Sequence, residues 1–279
     1  MNPELLSDLP LPLLVGSDVD GTLIDDQDRI SPRTRSVLHE LSGAGTHFIL
    51  ATGRPPRWLA PIIEQIGFAP LSVCANGAVI YDAERDQVLH AEELSTDTLG
   101  WLSDCIRAAL PGSGIAAERV GRSAHDAASP QFVCAPGYEH AWLNPDHIEL
   151  SATEVIAAPA IKLLVRHAGM TSTAMRDVLA PLVGERAAIT FSTDKGLIEL
   201  SAPGVTKATG FAWVAQQLAI AAEHTVAFGD MPNDIAMLEW VGHGVAMGNS
   251  HPETRAAARE VTSTNNDHGV AVVLERWWS

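Results

Sequence analysis

Basic residues are scarce in this chain of 279 residues: 18 Lys and Arg stand against 34 Asp and Glu, a formal net charge of -16. An excess this large repels a phosphate backbone at long range, so nucleic acid is not an expected partner. Cysteine is sparse too. Cys74, Cys105 and Cys134 lie far apart, with no CxxC and no even-numbered set, which predicts inert thiols in a reducing compartment. Long apolar runs are missing as well, since none approaches the roughly 20 residues that span a bilayer. The opening "MNPELLSDLPLPLLV" has no basic segment ahead of its apolar run, so no signal peptide is expected. These absences together predict a cytoplasmic protein without a membrane partner.

Aromatic residues make up only 5% of the chain, aliphatic residues are plentiful, and helix-like and strand-like segments alternate. That pattern predicts an α/β protein. Residues 12–17, "PLLVGS", read as a buried parallel strand, a short apolar run bounded by turn residues. The following "DVDGTLIDDQDRISPRT" reads as a long polar loop, and Ser31 before Pro32 marks the N-cap and first residue of a helix to about Leu41. "THFILATGRPP" repeats the plan ahead of the helix "RWLAPIIEQIG". "LSVCANGAVIYD" reads as a strand with an Asn-Gly turn inside it, and "DQVLHAEEL" as the returning arm of a hairpin.

The rhythm then changes. An amphipathic helix over about 95–110 leads into a Gly-, Ala- and Ser-rich stretch, then the strand "AAPAIKLLVRH", the helix "TSTAMRDVLAPLVG" and two strands around a turn at Asp194, Lys195 and Gly196. From Val205 the first rhythm returns through "KATGFAWVAQQLAI", "HTVAFGD", "NDIAMLEWV" and "GVAMG". The expected organisation is a parallel-sheet domain in two halves, residues 1–85 and 202–279, with an α+β domain inserted over 86–201.

Four segments carry chemistry. Asp18 and Asp20 stand where the first strand ends, and ligands in open α/β sheets bind beyond the carboxyl ends of the strands. Residues two apart in an extended segment point the same way, so both acids can face one ligand, although "DVDG" alone also suits an ordinary turn. "AFGDMPND" sets Asp230 at another strand end and Asn233 and Asp234 at the next helix start. An N-cap explains one of those three polar residues. Asp230 with Asp18 forms a hard-oxygen pair suited to Mg²⁺. Thr52 and Gly53, ahead of Arg54, offer a hydroxyl and backbone N–H groups as an oxyanion cradle, a pattern that ordinary Thr-Gly turns share. Lys207 opens a helix, where a cation gains nothing from the macrodipole and is better explained by an anion.

In this order, "DVDGT", "ATG", Lys207 and "GDMPND" resemble the four motifs of the haloacid dehalogenase (HAD) superfamily. The segment "ANGAVIYD", the long insertion and the downstream "GVAMGNSHPETRAAAREVTSTNNDHGVAVVLE" look like its Cof-type branch, subclass IIB, with a C2B cap. The resemblance implies a three-layer, Rossmann-like parallel-sheet core with an inserted α+β cap. It further implies Asp18 as nucleophile, Asp20 as acid and then base, and Mg²⁺ held by the Asp18 carboxylate, the Asp20 carbonyl and Asp230. Asp234 would support the metal site. Thr52, Gly53 and Lys207 would bind phosphoryl oxygens, with Asn233 nearby. In relatives that are dehalogenases the position of Asp20 lacks an acid, and in transport ATPases it is threonine. The aspartate here therefore favours a phosphatase acting on a small phosphorylated metabolite, a sugar phosphate or related compound. A phosphomutase is the alternative; a phospho-ligand sensor would be expected to lose residues that this chain keeps.

Substrate selection is expected from the cap, hinged near residues 85 and 202. Arg54 and Asn76 are candidate substrate contacts on the core side. "ERVGRSAHD", with Glu118, Arg119, Arg122 and His125, reads as a solvated loop, and His140 and His147 as surface histidines. Trp58, Trp101, Trp213 and Trp240 fall in predicted helices and read as core. Trp277 and Trp278 suit either docking on the core or a subunit contact, in a monomer or homodimer.

Overall fold

The computed structural model describes residues 10–126, 130–140 and 147–278; residues 1–9, on which the leader expectation rests, lie outside them. The chain begins β1 (Leu14–Ser17), α1 (Pro32–Gly43), β2 (His47–Ala51), α2 (Ala60–Ile66), β3 (Leu71–Cys74), β4 (Val79–Asp82) and β5 (Gln87–Ala91). There follow α3 (Thr96–Ala109), β6 (Gly114–Glu118), β7 (Phe132–Cys134), β8 (His147–Glu149), α4 (Ala152–Val155), β9 (Lys162–Arg166), α5 (Ser172–Val183), β10 (Ala188–Thr190) and β11 (Leu197–Ser201). The last stretch is α6 (Lys207–Gln217), β12 (Thr225–Gly229), α7 (Ile235–Trp240), β13 (His243–Ala246), α8 (Pro252–Ala257), β14 (Glu260–Val261) and α9 (Gly269–Leu274).

Two sheets result. The first has the order β14-β13-β12-β1-β2-β3-β4-β5, parallel from β14 to β3 and closed by the antiparallel β4 and β5. Alternation along its strands builds three layers. Val15, Phe48, Leu50 and Phe228 face α1, α2 and α9, whereas Leu14, Ile49, Ala51 and Ala227 face α6 and α7. The second sheet, β10-β11-β9-β6-β7-β8, packs one face against α3 and α5 through residues such as Ile115, Leu163, Val165 and Ile198. Its other face turns toward the first sheet and carries Glu118, Lys162 and Glu199, each of which bonds a residue of the first half of the chain.

Several local expectations are revised. The "RWLAPIIEQIG" helix is split into a 3₁₀ turn, Pro56–Trp58, and α2. Pro61 has no N–H for the Arg57 carbonyl, and its ring crowds that oxygen. The loop after Asp18 is not wholly solvated: it winds through a tight turn at Val19–Leu23 and buries Leu23 and Ile24. β5 lies beyond residue 85 yet pairs with β4, so we place the passage between sheets after residue 91. Ser31 caps α1, its Oγ accepting from the Thr34 N–H. Trp278 is buried in the core beneath α9 and Trp277 packs against the same cluster. Trp101, Trp213 and Trp240 are half-buried against their clusters. No helix among the described residues is long and apolar enough to cross a membrane.

Candidate active site

β1 and β12 are parallel neighbours in register, Ser17 beside Phe228, and the Asp18 N–H carries the ladder one step on to the Phe228 carbonyl at 3.0 Å. The chain thus delivers Asp18 and Asp230 side by side, at the point where the connections out of β1 and β12 leave toward opposite edges of the sheet. Asp18, Asp230 and Asp234 are all buried, and each offers a carboxylate oxygen within 4.8 Å of the others. Lys207, at the first turn of α6 and capped by Thr206, reaches in with Nζ 2.6 Å from both Asp18 Oδ1 and Asp234 Oδ1.

Two glycines allow this approach. Gly77, at φ +105°, closes the turn between β3 and β4, where a Cβ would lie 2.0 Å from the Thr206 carbonyl and push α6 outward. Gly21, at φ +74°, leaves room for Asp230, whose Oδ2 would be 2.4 Å from a Cβ there. Asp234 has both oxygens engaged, Oδ1 by Lys207 and Oδ2 by the N–H groups of Asp230 and Met231. Thr22 Oγ1 donates to Asp230 Oδ1 at 3.1 Å.

Three carboxylates share one ammonium in this pocket. Burial first, then the Asp234 charge, pushes Asp230 up to about 7, and burial also raises Asp18 well above the usual carboxylate range despite Lys207. Burial alone would lower the Lys207 pKa, but Asp18 and Asp234 drive it upward, so the ammonium is retained. A buried cluster so rich in carboxylate fits a hard divalent cation, with Asp18 and Asp230 as the carboxylates less occupied by protein donors.

The remaining predicted residues form a second group. Asp20 is half-exposed and held by Arg54 through a fork, Nε to Oδ2 at 2.9 Å and Nη2 to Oδ1 at 2.6 Å. Thr52 is fully buried; its N–H donates to the Val73 carbonyl and its Oγ1 accepts from the Arg54 N–H. Asn233 Nδ2 donates to Asn76 Oδ1 at 3.0 Å, and Asn76 Nδ2 donates to Glu199 Oε2 at 2.7 Å. The inserted sheet thus meets these residues directly. Lys162 Nζ donates to the Gly53 carbonyl at 2.9 Å and to Glu199 Oε1 at 2.8 Å. Arg57 grips Glu118 with two nitrogens, and burial, opposed by Arg57, pushes Glu118 up to about 7.

Sequence reading missed Arg57, Lys162 and Glu199, and took Glu118 and Arg119 for loop residues. Glu118 ends β6, and Arg119 is buried with Nη2 donating to the carbonyls of Glu154 and Val155. The signal available was a charge inside an apolar strand, Lys162 in "AIKLLVR" and Glu199 in "GLIELS". His140 is not an isolated surface histidine: with Trp58, Phe132 and Tyr138 it lines a cavity of about 30 Å³ between the sheets. Behind the acidic loop, Asn249 Nδ2 donates to the Gly21 carbonyl and Asn265 Nδ2 to that of Ile24, two further contacts absent from the sequence reading.

Residues 15–274 match the sequence family described as haloacid dehalogenase-like hydrolase. The 5-amino-6-(5-phospho-D-ribitylamino)uracil phosphatase YitU of Bacillus subtilis is 26% identical over 269 residues, covering 96% of this chain and 98% of the relative. Among solved structures, BT1666, a HAD-superfamily phosphatase from Bacteroides thetaiotaomicron, aligns with a TM-score of 0.77 at 20% identity, over 95% of this chain and 94% of the other. The HAD subclass IIB sugar phosphatase BT4131 aligns with a TM-score of 0.76 at 21% identity, over 95% of this chain and 98% of the other.

Proposed function

The chain belongs to the haloacid dehalogenase-like hydrolases and is a phosphatase acting on phosphorylated substrates, and from that premise we propose a two-step hydrolysis of a small phosphorylated metabolite centred on Asp18. The carrying observation is the position of Asp18: at the end of β1, bonded to the buried Lys207 and grouped with Asp230. An Asp18 oxygen attacks phosphorus as the bond to the leaving oxygen breaks, and Asp20 protonates that oxygen. Asp20 then takes a proton from water, which attacks the aspartyl phosphate and releases inorganic phosphate and free Asp18. Dividing the transfer this way replaces one hard displacement with two easier ones.

Asp18, Asp230 and the Asp20 backbone carbonyl would hold Mg²⁺, which supplies charge neutralisation between the carboxylates and a dianionic phosphoryl group. Asp234 orients Lys207 and the Asp230 backbone. Thr52, the Gly53 N–H and Lys207 bind the phosphoryl oxygens, with Asn233 beside them, and their contribution is positioning and electrostatic stabilisation. Arg54, forked to both oxygens of Asp20, holds the proposed acid in place beside the cleft.

We assign the leaving group to the sugar or polyol class. The sugar phosphatase BT4131 and the ribityl-bearing substrate in the name of YitU support that class. The acidic chain and its three free cysteines favour a cytoplasmic setting.

The test is phosphate release from a panel of sugar, polyol, nucleotide and cofactor phosphates, with Mg²⁺ or with EDTA, beside Asp18→Asn. Metal-dependent release abolished in the variant supports the mechanism. Phosphate transferred within the product without release would establish the mutase alternative instead.

A further inference from the structure

A lysine and a glutamate stand on the face of the inserted sheet that meets the core, their side chains 3% and 5% exposed. Replacing such a buried pair by apolar residues is often neutral or stabilising, so cohesion alone does not account for it. Its directionality does. Lys162 Nζ spends one bond on Glu199 and another on the carbonyl of Gly53, the residue after Thr52. Glu199 takes Lys162 on one oxygen and Asn76 Nδ2 on the other.

Asn76 is itself held on three sides. Its backbone has φ +59°, its N–H donates to the Thr52 carbonyl, and its Oδ1 accepts from Asn233. Three bonds from the cap therefore end on two places: the Thr52–Gly53 turn, held by Lys162, and the Asn76–Asn233 bridge, held by Glu199 and, at 3.2 Å, by Thr190 Oγ1. Both are regions to which the proposed reaction assigns phosphoryl contacts. The cavity between the sheets holds about 30 Å³, which admits no more than a few waters. A sugar- or polyol-sized group does not fit this cavity as it stands, so we take its entry there to require separation of the sheets, which would break these bonds.

We propose, resting on the phosphatase reading above, that Lys162 and Glu199 are positioning residues that make the phosphoryl-binding turn and the Asn76–Asn233 bridge catalytically aligned only when the cap is closed. The pair acts through Gly53 and Asn76 and touches no reacting atom. Misplacement of contacts by about 1 Å can cost around a hundredfold in rate, whereas binding of the ground state is less sensitive.

The experiment measures kcat and KM for p-nitrophenyl phosphate with saturating Mg²⁺ in the full-length protein. Lys162→Met is expected to lower kcat at least tenfold with KM altered less than threefold, and Lys162→Arg, which keeps donors and charge, to recover most of the loss. The exchanged pair Lys162→Glu with Glu199→Lys restores an ion pair but gives Gly53 no donor and takes the carboxylate from Asn76 Nδ2, leaving it Thr190 Oγ1 alone, so its kcat is expected to stay as low as that of Lys162→Met. A kcat within twofold of the parent in Lys162→Met, or recovered in the exchanged pair, overturns the proposal. Should Lys162→Met fail to fold, Glu199→Gln, nearly isosteric, is judged by the same limits. Turnover surviving Asp18→Asn overturns the nucleophile instead, a result separable from the fate of the pair.

Discussion

Lys207 Nζ lies 2.6 Å from Asp18 Oδ1 and 2.6 Å from Asp234 Oδ1, with none of its side chain open to solvent. One ammonium therefore bridges the end of β1 and the start of α7, 189 and 27 residues away along the chain. Lys207→Met removes the cation and leaves two buried carboxylates facing each other. A loss of about 3–5 kcal/mol is expected from breaking a buried pair, together with at least a hundredfold fall in kcat. Urea unfolding and phosphate release on the same preparation measure the two effects.

Gly21→Ala tests the packing of the acidic loop. The new methyl would meet Asp230 Oδ2 at 2.4 Å on a backbone with φ +74°. Displacement of Asp230 is expected to raise the Mg²⁺ concentration for half-maximal activity about tenfold or more and to lower stability by about 1–3 kcal/mol. A Mg²⁺ titration with a parental midpoint would show that Asp230 tolerates the shift.

Arg54→Ala should separate chemistry from stability. The fork to Asp20 is partly solvated, and such pairs contribute about 0–1 kcal/mol, so the melting temperature should scarcely move. The kcat should fall about tenfold because Asp20 loses the group that holds it beside the cleft. The pH–rate profile of the variant, measured beside the parent, shows whether the acid limb changes with it.

Glu260 supplies a stability signature remote from the reaction. Burial pushes its pKa upward, but hydrogen bonds from His243 and Arg276 and the Arg276 charge carry it down to about 2. A carboxylate whose folded pKa lies below its unfolded value stabilises above the unfolded value of about 4.3 and loses that contribution as pH falls toward 2. Denaturant unfolding between pH 6 and pH 2.5 should show Glu260→Gln less stable by about 1–2 kcal/mol at pH 6, the difference shrinking with acidification.

The acidic pair was legible because buried parallel strands read as short apolar runs, and the polar residues that follow such runs fall at the ligand-binding edge. Asp18, Thr52 and Asp230 share that signature. Ser31–Pro32 announced α1 through its own local chemistry. Arg57, Lys162 and Glu199 were hidden because their partners come from another sheet, a relation fixed by how two layers face each other. Glu118 was misread for the same reason: the turn-rich "GRSAHD" after it suggested solvent, while its pairing opposite Lys162 and its bond to Arg57 bury it. Pro61 was visible in the sequence, but its breaking of "RWLAPIIEQIG" was not taken into account.

The pairing of β1 with β12 also sets a schedule for synthesis. Leu14 must find Thr225, and Ser17 must find Phe228, across roughly two hundred intervening residues. At ribosomal speeds of about 5–20 residues per second, that partner emerges roughly 10–40 s after β1. During that interval the nascent sheet presents β1 as an open edge, and the inserted segment has time to form its own sheet first. Birth of the protein is thus a wait for its last quarter, with one side of its central strand exposed to the wrong neighbours until the final parallel rungs arrive.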